Sequence, residues 1–132
     1  MEDIKLILAE DNDMLRKSLN FFLEQKGFKV DQFANGLEAL DSIKVNNYDL
    51  ILMDINIPGI SGMEITQFVR TEMYLDTPII IFTSSNVEQT EIDCFDIGAD
   101  EFIAKPISPL VLITRINNLL KKKRTKIQYN LN

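Results

Sequence analysis

Neither histidine nor tryptophan occurs in the 132 residues, and cysteine occurs once, at Cys94. Without histidine there is no Ser-His-Asp triad, no HExxH zinc site and no imidazole general base. A single thiol forms no internal disulfide and no cysteine zinc site, so Cys94 reads as a small residue packed on a helix. Long hydrophobic runs are missing too, none approaching the ~18 residues a membrane span requires. Met1 is followed by Glu2 and Asp3, the opposite of the basic start of a secretory leader, so a cytoplasmic protein with no membrane association is expected. Low-complexity segments are also absent. The chemistry left to this chain is that of carboxylates, hydroxyls, lysines and a bound metal.

What is present suits one ordinary globular domain: 45% of the residues are apolar and 26% charged. All 20 acidic residues precede position 121, whereas Lys121, Lys122, Lys123, Arg124 and Lys126 supply five of the 14 basic ones. Residues 1–120 thus set nine basic against 20 acidic side chains, a net −11. So acidic a body repels nucleic acid and suits a cation or a basic partner, and no direct nucleic-acid contact is expected of it. The basic end reads as the solubilising close of a helix, where cations complement the dipole.

Short apolar runs alternate with helical periods along the chain. The runs are "KLILA" (5–9), "KVDQF" (29–33), "LILMD" (50–54), "IIIFT" (79–83) and "EFIA" (101–104). Four read as strands buried on both faces, and the second, which alternates, as an edge. Between them lie core-facing stripes: Leu15, Leu19, Phe22; Leu37, Leu40, Ile43; Ile65, Phe68, Val69; a weaker Ile92, Phe95; and Leu112, Ile116, Leu119 with Ile113 and Leu120. Gly27 and Gly98 stand where helices should stop, Ser108-Pro109 where one should start, and Pro78 where a strand tolerates it. Five βα units are too few for a (β/α)₈ barrel of about 250 residues, so an α/β fold with an open, doubly wound parallel sheet is predicted.

In such sheets the strands end on one edge, and ligands sit outside those carboxyl ends. The residues closing the runs are Glu10 and Asp11, Asp54, Thr83 and Lys105. Singly, each has a plain structural use. "EDND" could cap a helix, Thr83 a turn, and Lys105 could pair with any carboxylate. Their ordered recurrence at four strand ends points instead to one site. Three crowded carboxylates call for a hard divalent cation, and Mg²⁺ fits better than Ca²⁺ because few protein ligands are offered. The stretch from Asp54 opens like an EF-hand loop, but position five is Pro58 and position twelve is Ile65 where a glutamate belongs.

Together Glu10-Asp11, Asp54, Thr83 and Lys105-Pro106, carried by "LAED", "LILMDINIPGISGMEI", "IIIFTSS" and "GADEFIAKPI", resemble the receiver domain of two-component response regulators, the superfamily of the chemotaxis regulator. The resemblance covers about residues 3–123. It implies a single flavodoxin-like domain with five helices and sheet order 2-1-3-4-5, residues 1–123 forming the receiver and 124–132 a tail or the start of a linker. It implies that Asp54 accepts a phosphoryl group from a sensor histidine kinase or a histidine phosphotransfer protein. Glu10, Asp11, Asp54 and the backbone carbonyl of Asn56 would hold Mg²⁺, Thr83 and Lys105 the phosphoryl oxygens, and the Lys105-Pro106 bond would be cis. Thr83 and Phe102 would switch a face on which an effector or a second copy docks. Such a domain assists its own phosphorylation and dephosphorylation and is otherwise no enzyme.

Three positions depart from commoner family choices. Glu10 lengthens one arm of the acidic pair, Phe102 has no hydroxyl where tyrosine is frequent, and Ser84 is larger than the alanine or glycine common there. The residue types at Asn56 and Ser85 bear on the lifetime of the phosphorylated state in relatives. Rival readings are weaker. A haloacid-dehalogenase-type, Mg²⁺-dependent phosphohydrolase needs DxD, and Asn56 occupies the second position. Nucleotide binding needs GxxxxGK[ST] or GxGxxG, and neither occurs. A receiver-like scaffold that works without phosphorylation remains the alternative.

Overall fold

The computed structural model describes residues 3–84 and 88–131, with side chains described as far as Lys123. Elements alternate strictly: β1 (Lys5–Ala9), α1 (Asp13–Gln25), β2 (Lys29–Phe33), α2 (Gly36–Val45), β3 (Leu50–Asp54), α3 (Gly62–Thr71), β4 (Ile79–Thr83), α4 (Glu88–Asp96), β5 (Glu101–Ala104) and α5 (Pro109–Leu131). All strand pairs are parallel and the order is β2-β1-β3-β4-β5. The five apolar runs are thus the five strands.

Alternation along the strands builds two cores. Leu6 and Leu8, Leu50 and Leu52, Ile80, Phe82 and Ile103 pack under α1 and α5, against Leu19, Leu23, Leu112, Ile116 and Leu119. Ile7, Ile51, Met53, Ile79 and Ile81 face the other way, against Leu40 and Ile43 of α2, Ile65 and Val69 of α3, and the fully buried Cys94 of α4. Each such aliphatic side chain contributes about 1.5–3 kcal/mol on burial.

Helix ends follow local chemistry. Asn12, Asn35 and Ser61 cap α1, α2 and α3 by accepting first-turn amides. Gly27 and Gly98 lie at φ +94° and +110°, where a Cβ would be strained. Pro109 opens α5, with Ser108 Oγ accepting from Val111 N at 3.4 Å.

Several expectations need correction. β5 was expected to be buried on both faces, but it is the second edge strand, and of its four residues only Ile103 is buried. Leu37, Ile92 and Phe95 lie on helical stripes yet are 53%, 43% and 42% exposed. Helix α5 runs without a break through residue 123 to Leu131. Ser85 and the side chains of Arg124 and Lys126 fall outside the described residues. Among the described residues no helix is long and apolar enough to cross a membrane.

Candidate functional site

Strand register brings the polar strand ends together. Leu8 pairs with Leu52 and Ala9 with Met53, so one step further Glu10 stands opposite Asp54. Asp54 in turn pairs with Phe82, and Phe82 with Ile103, two residues before Lys105. Glu10, Asp54 and Lys105 therefore continue the face that carries Leu8, Leu52 and Ile103 lower down. Their side chains meet where the apolar core runs out.

The Lys105 ammonium lies between the two carboxylates, 3.0 Å from Asp54 Oδ2 and 2.6 Å from Glu10 Oε1. Glu10 is fully buried; its Oε2 accepts from Asn12 N at 3.0 Å. Its Oε1 has the lysine charge beside it but no well-directed hydrogen bond. The contact is therefore an ion pair first. Burial pushes the Glu10 carboxyl above its usual range, and Asp54 adds to the rise, while Lys105 and the Asn12 amide oppose it without cancelling it. For Lys105 burial disfavours the ammonium, yet its close contacts with the Glu10 and Asp54 carboxylates outweigh it and raise its pKa. One cation shared by two carboxylates explains both directions: Lys105 gains from two partners, and the more deeply buried Glu10 gains from half of one.

Asp54 is 7% exposed, and its Oδ1 accepts from Asn56 N at 3.3 Å. The chain turns sharply behind it. Gly62 N donates to Ile55 O at 2.9 Å, and a Cβ on Gly62 would stand 2.7 Å from the Asp54 carbonyl oxygen. Glycine is what lets α3 start so near the aspartate.

Asp11 is exposed, and one oxygen from each of Glu10, Asp11 and Asp54 lies within 4.8 Å of the others. This all-oxygen donor set is what a hard divalent cation takes. Thr83 is fully buried at the end of β4, on the opposite face parity to Asp54 and paired with Ala104. Its carbonyl accepts from Lys105 N at 2.7 Å, and the Lys105-Pro106 bond is cis. Phe102, opposite Ile81 and one pleat below Thr83, packs half-buried against the α2–α4 core. Ser84 is exposed. Glu10, Asp11, Asp54 and Lys105 are thus gathered in one place with the Asn56 amide, while Thr83 and Phe102 line the adjoining strand pair.

Sequence reading missed Arg16, whose guanidinium binds the Glu10 carbonyl, Gln32 and Asp13. Its spacing of three from Asp13 and four from the cap Asn12 was the available signal.

Comparison with known proteins shows the family and the fold. The family model described as the response regulator receiver domain matches residues 6–117. The transcriptional regulatory protein ResD of Bacillus subtilis is 32% identical over 130 residues, covering 98% of this chain and 53% of ResD. SrrA of Staphylococcus aureus is 31% identical over 121 residues, covering 92% of this chain and 49% of SrrA. The chain spans about half the length of these curated relatives. Among solved structures, a Francisella response regulator receiver domain superposes with TM-score 0.87 at 29% identity, covering 92% of this chain and 99% of that one. A two-component response regulator from Clostridium difficile does so with TM-score 0.86 at 26% identity, covering 92% and 98%.

Proposed function

The chain belongs to the response regulator receiver domain family, and from that premise we propose that Asp54 is its phosphoacceptor, taking a phosphoryl group from a phosphohistidine of a sensor kinase or phosphotransfer protein. The observation that carries this reading is the convergence of Lys105 and three carboxylates, Glu10, Asp11 and Asp54, at the carboxyl edge of the sheet.

The donor set fits Mg²⁺, which Glu10, Asp11, Asp54 and the Asn56 carbonyl would hold. When bound, the ion supplies neutralisation of charge on the phosphoryl oxygens. An Asp54 carboxylate oxygen attacks phosphorus, and the P–N bond of the donor breaks, its electron pair returning to the imidazole. An acyl phosphate results. Lys105 leaves Asp54 Oδ2 for a phosphoryl oxygen, whose charge it offsets. Thr83 donates its hydroxyl to another phosphoryl oxygen. No step needs a histidine from this chain.

The output surface on this reading is α4, β5 and α5. Ile92, Phe95, Leu110 and Val111 are 43%, 42%, 71% and 43% exposed there, which supports docking of an effector or a second copy. On this reading residues 1–123 are the receiver unit and 124–132 a tail or the start of a linker. The test is incubation with acetyl phosphate and Mg²⁺ followed by intact-mass analysis. One phosphate is expected on the wild type and none on Asp54→Asn; no uptake by the wild type under any Mg²⁺ concentration would favour the scaffold that works without phosphorylation.

A further inference from the structure

We propose that Arg16 is a positioning residue for the carboxylate cluster: its guanidinium fixes the peptide between Glu10 and Asp11 and so sets how the Asp11 carboxylate enters the site. The inference rests on the reading of the cluster as a cation site.

Among the described residues, nothing holds the side chain of Asp11, unlike those of Glu10 and Asp54. Lys105 and the Asn12 amide fix Glu10, and Lys105 and the Asn56 amide fix Asp54. Among the described residues no hydrogen bond or ion pair reaches the Asp11 carboxylate. Where its oxygens stand therefore depends on the backbone that carries them.

That backbone is pinned on both sides. Upstream, Glu10 N donates to Phe33 O at 3.0 Å, continuing the ladder to β2. Downstream, Asn12 caps α1 through Leu15 N at 2.9 Å. Between them Arg16 Nη1 donates to the Glu10 carbonyl at 2.9 Å, fixing the plane of the peptide that leads into Asp11. The guanidinium is itself locked, with Nη2 2.7 Å from Asp13 Oδ1, Nε donating to Gln32 Oε1 at 3.3 Å, and the side chain 12% exposed. One planar fork thus ties α1, the end of β1 and β2 together, a task for which the point charge of lysine has the wrong shape. A purely electrostatic role is disfavoured, because Asp13 already neutralises the arginine at contact distance.

Removing a group that orients a ligand weakens metal binding about 10- to 100-fold. The test is Mg²⁺ titration of the whole chain, followed by amide NMR shifts, for the wild type, Arg16→Ala and Arg16→Lys, each also combined with Asp11→Asn. Far-UV circular dichroism confirms that each variant is folded, and Arg16→Lys decides the matter should Arg16→Ala not fold. The expected result is a Kd raised about tenfold or more in Arg16→Lys and Arg16→Ala alike. No further rise should follow when either is added to Asp11→Asn, and saturating Mg²⁺ should restore phosphorylation from acetyl phosphate. Wild-type affinity in Arg16→Lys would overturn the proposal in favour of a charge effect, and a loss that persists on Asp11→Asn would show that Arg16 does not act through Asp11. Failure of the wild type itself to bind Mg²⁺ would instead remove the cation-site reading, and this inference with it.

Discussion

Lys105 reaches Asp54 across the carboxyl edge of the sheet, Nζ to Oδ2 at 3.0 Å, although the two are 51 residues apart in the chain. The same ammonium closes on Glu10 at 2.6 Å. Before any ligand arrives, then, the carboxylates already have a cation, supplied by the chain and held in the position from which it would meet a phosphoryl group. Lys105 stabilises the paired carboxylates and, on the proposed reading, would compete with a cation for them.

Replacing Lys105 by methionine separates those roles. The buried Glu10 carboxylate loses its countercharge, which should cost roughly 3 kcal/mol of stability, near the low end for breaking a buried pair. Mg²⁺ should bind as tightly as before or more tightly, since a competitor has gone, while phosphorylation slows by about 100-fold. Thermal denaturation, NMR titration and acetyl phosphate kinetics read the three effects, and weaker Mg²⁺ binding would contradict the competition.

Glu10 carries a pH dependence whose sign is fixed by its raised pKa. Burial favours its protonated form in the fold, so the ionised form subtracts stability. The contribution is most favourable below the unfolded value of 4.5 and is lost as pH rises through the higher folded value. Glu10→Gln should accordingly melt at the same temperature as the wild type in acid and at an equal or higher temperature at neutral pH, with Mg²⁺ absent. A lower melting point at neutral pH would mean that the ion pair with Lys105 outweighs the burial of the carboxylate.

At the opposite edge of the sheet Tyr48 donates to Asp31 Oδ2 at 2.6 Å and meets the Ser42 hydroxyl at 2.5 Å. Burial, then the hydrogen bond to Asp31, pushes its pKa from 10.0 up to about 12. The phenol thus contributes roughly 2–3 kcal/mol that is fully present below pH 10 and is lost as pH rises toward 12. Phenolate absorbance should show a late step near pH 12 that Tyr48→Phe removes. If the late step survives that substitution, the network is weaker than its distances imply.

On the proposed reading Phe102, half-buried one pleat below Thr83, would be the switch residue, without a hydroxyl. Movement of Thr83 toward a phosphoryl group opens room that an apolar ring can fill, and full burial of such a ring is worth about 1.5–3 kcal/mol. Phe102→Ala should keep phosphorylation of Asp54 and weaken self-association or effector binding, which sedimentation of the phosphorylated protein measures. Unchanged association would place the switch elsewhere.

Much of this was legible in the residues themselves. Strand-end polar residues announced the site because parallel strands share an edge, and β2 betrayed its place by alternating. β5 did not: "EFIA" is apolar enough for an interior strand, and only the sheet order leaves it with one neighbour. Leu37, Ile92 and Phe95 have helical spacing, yet spacing cannot tell a stripe that meets the core from one turned to solvent. The contact of Lys105 with Glu10 and the hold of Arg16 on the Glu10 carbonyl escaped because both depend on side-chain reach in the assembled fold.

If Asp54 carries the phosphoryl group as an acyl phosphate, reductive trapping reads that chemistry directly. Borohydride converts an aspartyl phosphate to homoserine, so protein treated with acetyl phosphate and Mg²⁺, reduced and digested should yield a peptide with homoserine at position 54 and unmodified residues elsewhere. Homoserine at position 11, or a borohydride-resistant phosphate on Ser84, would contradict it.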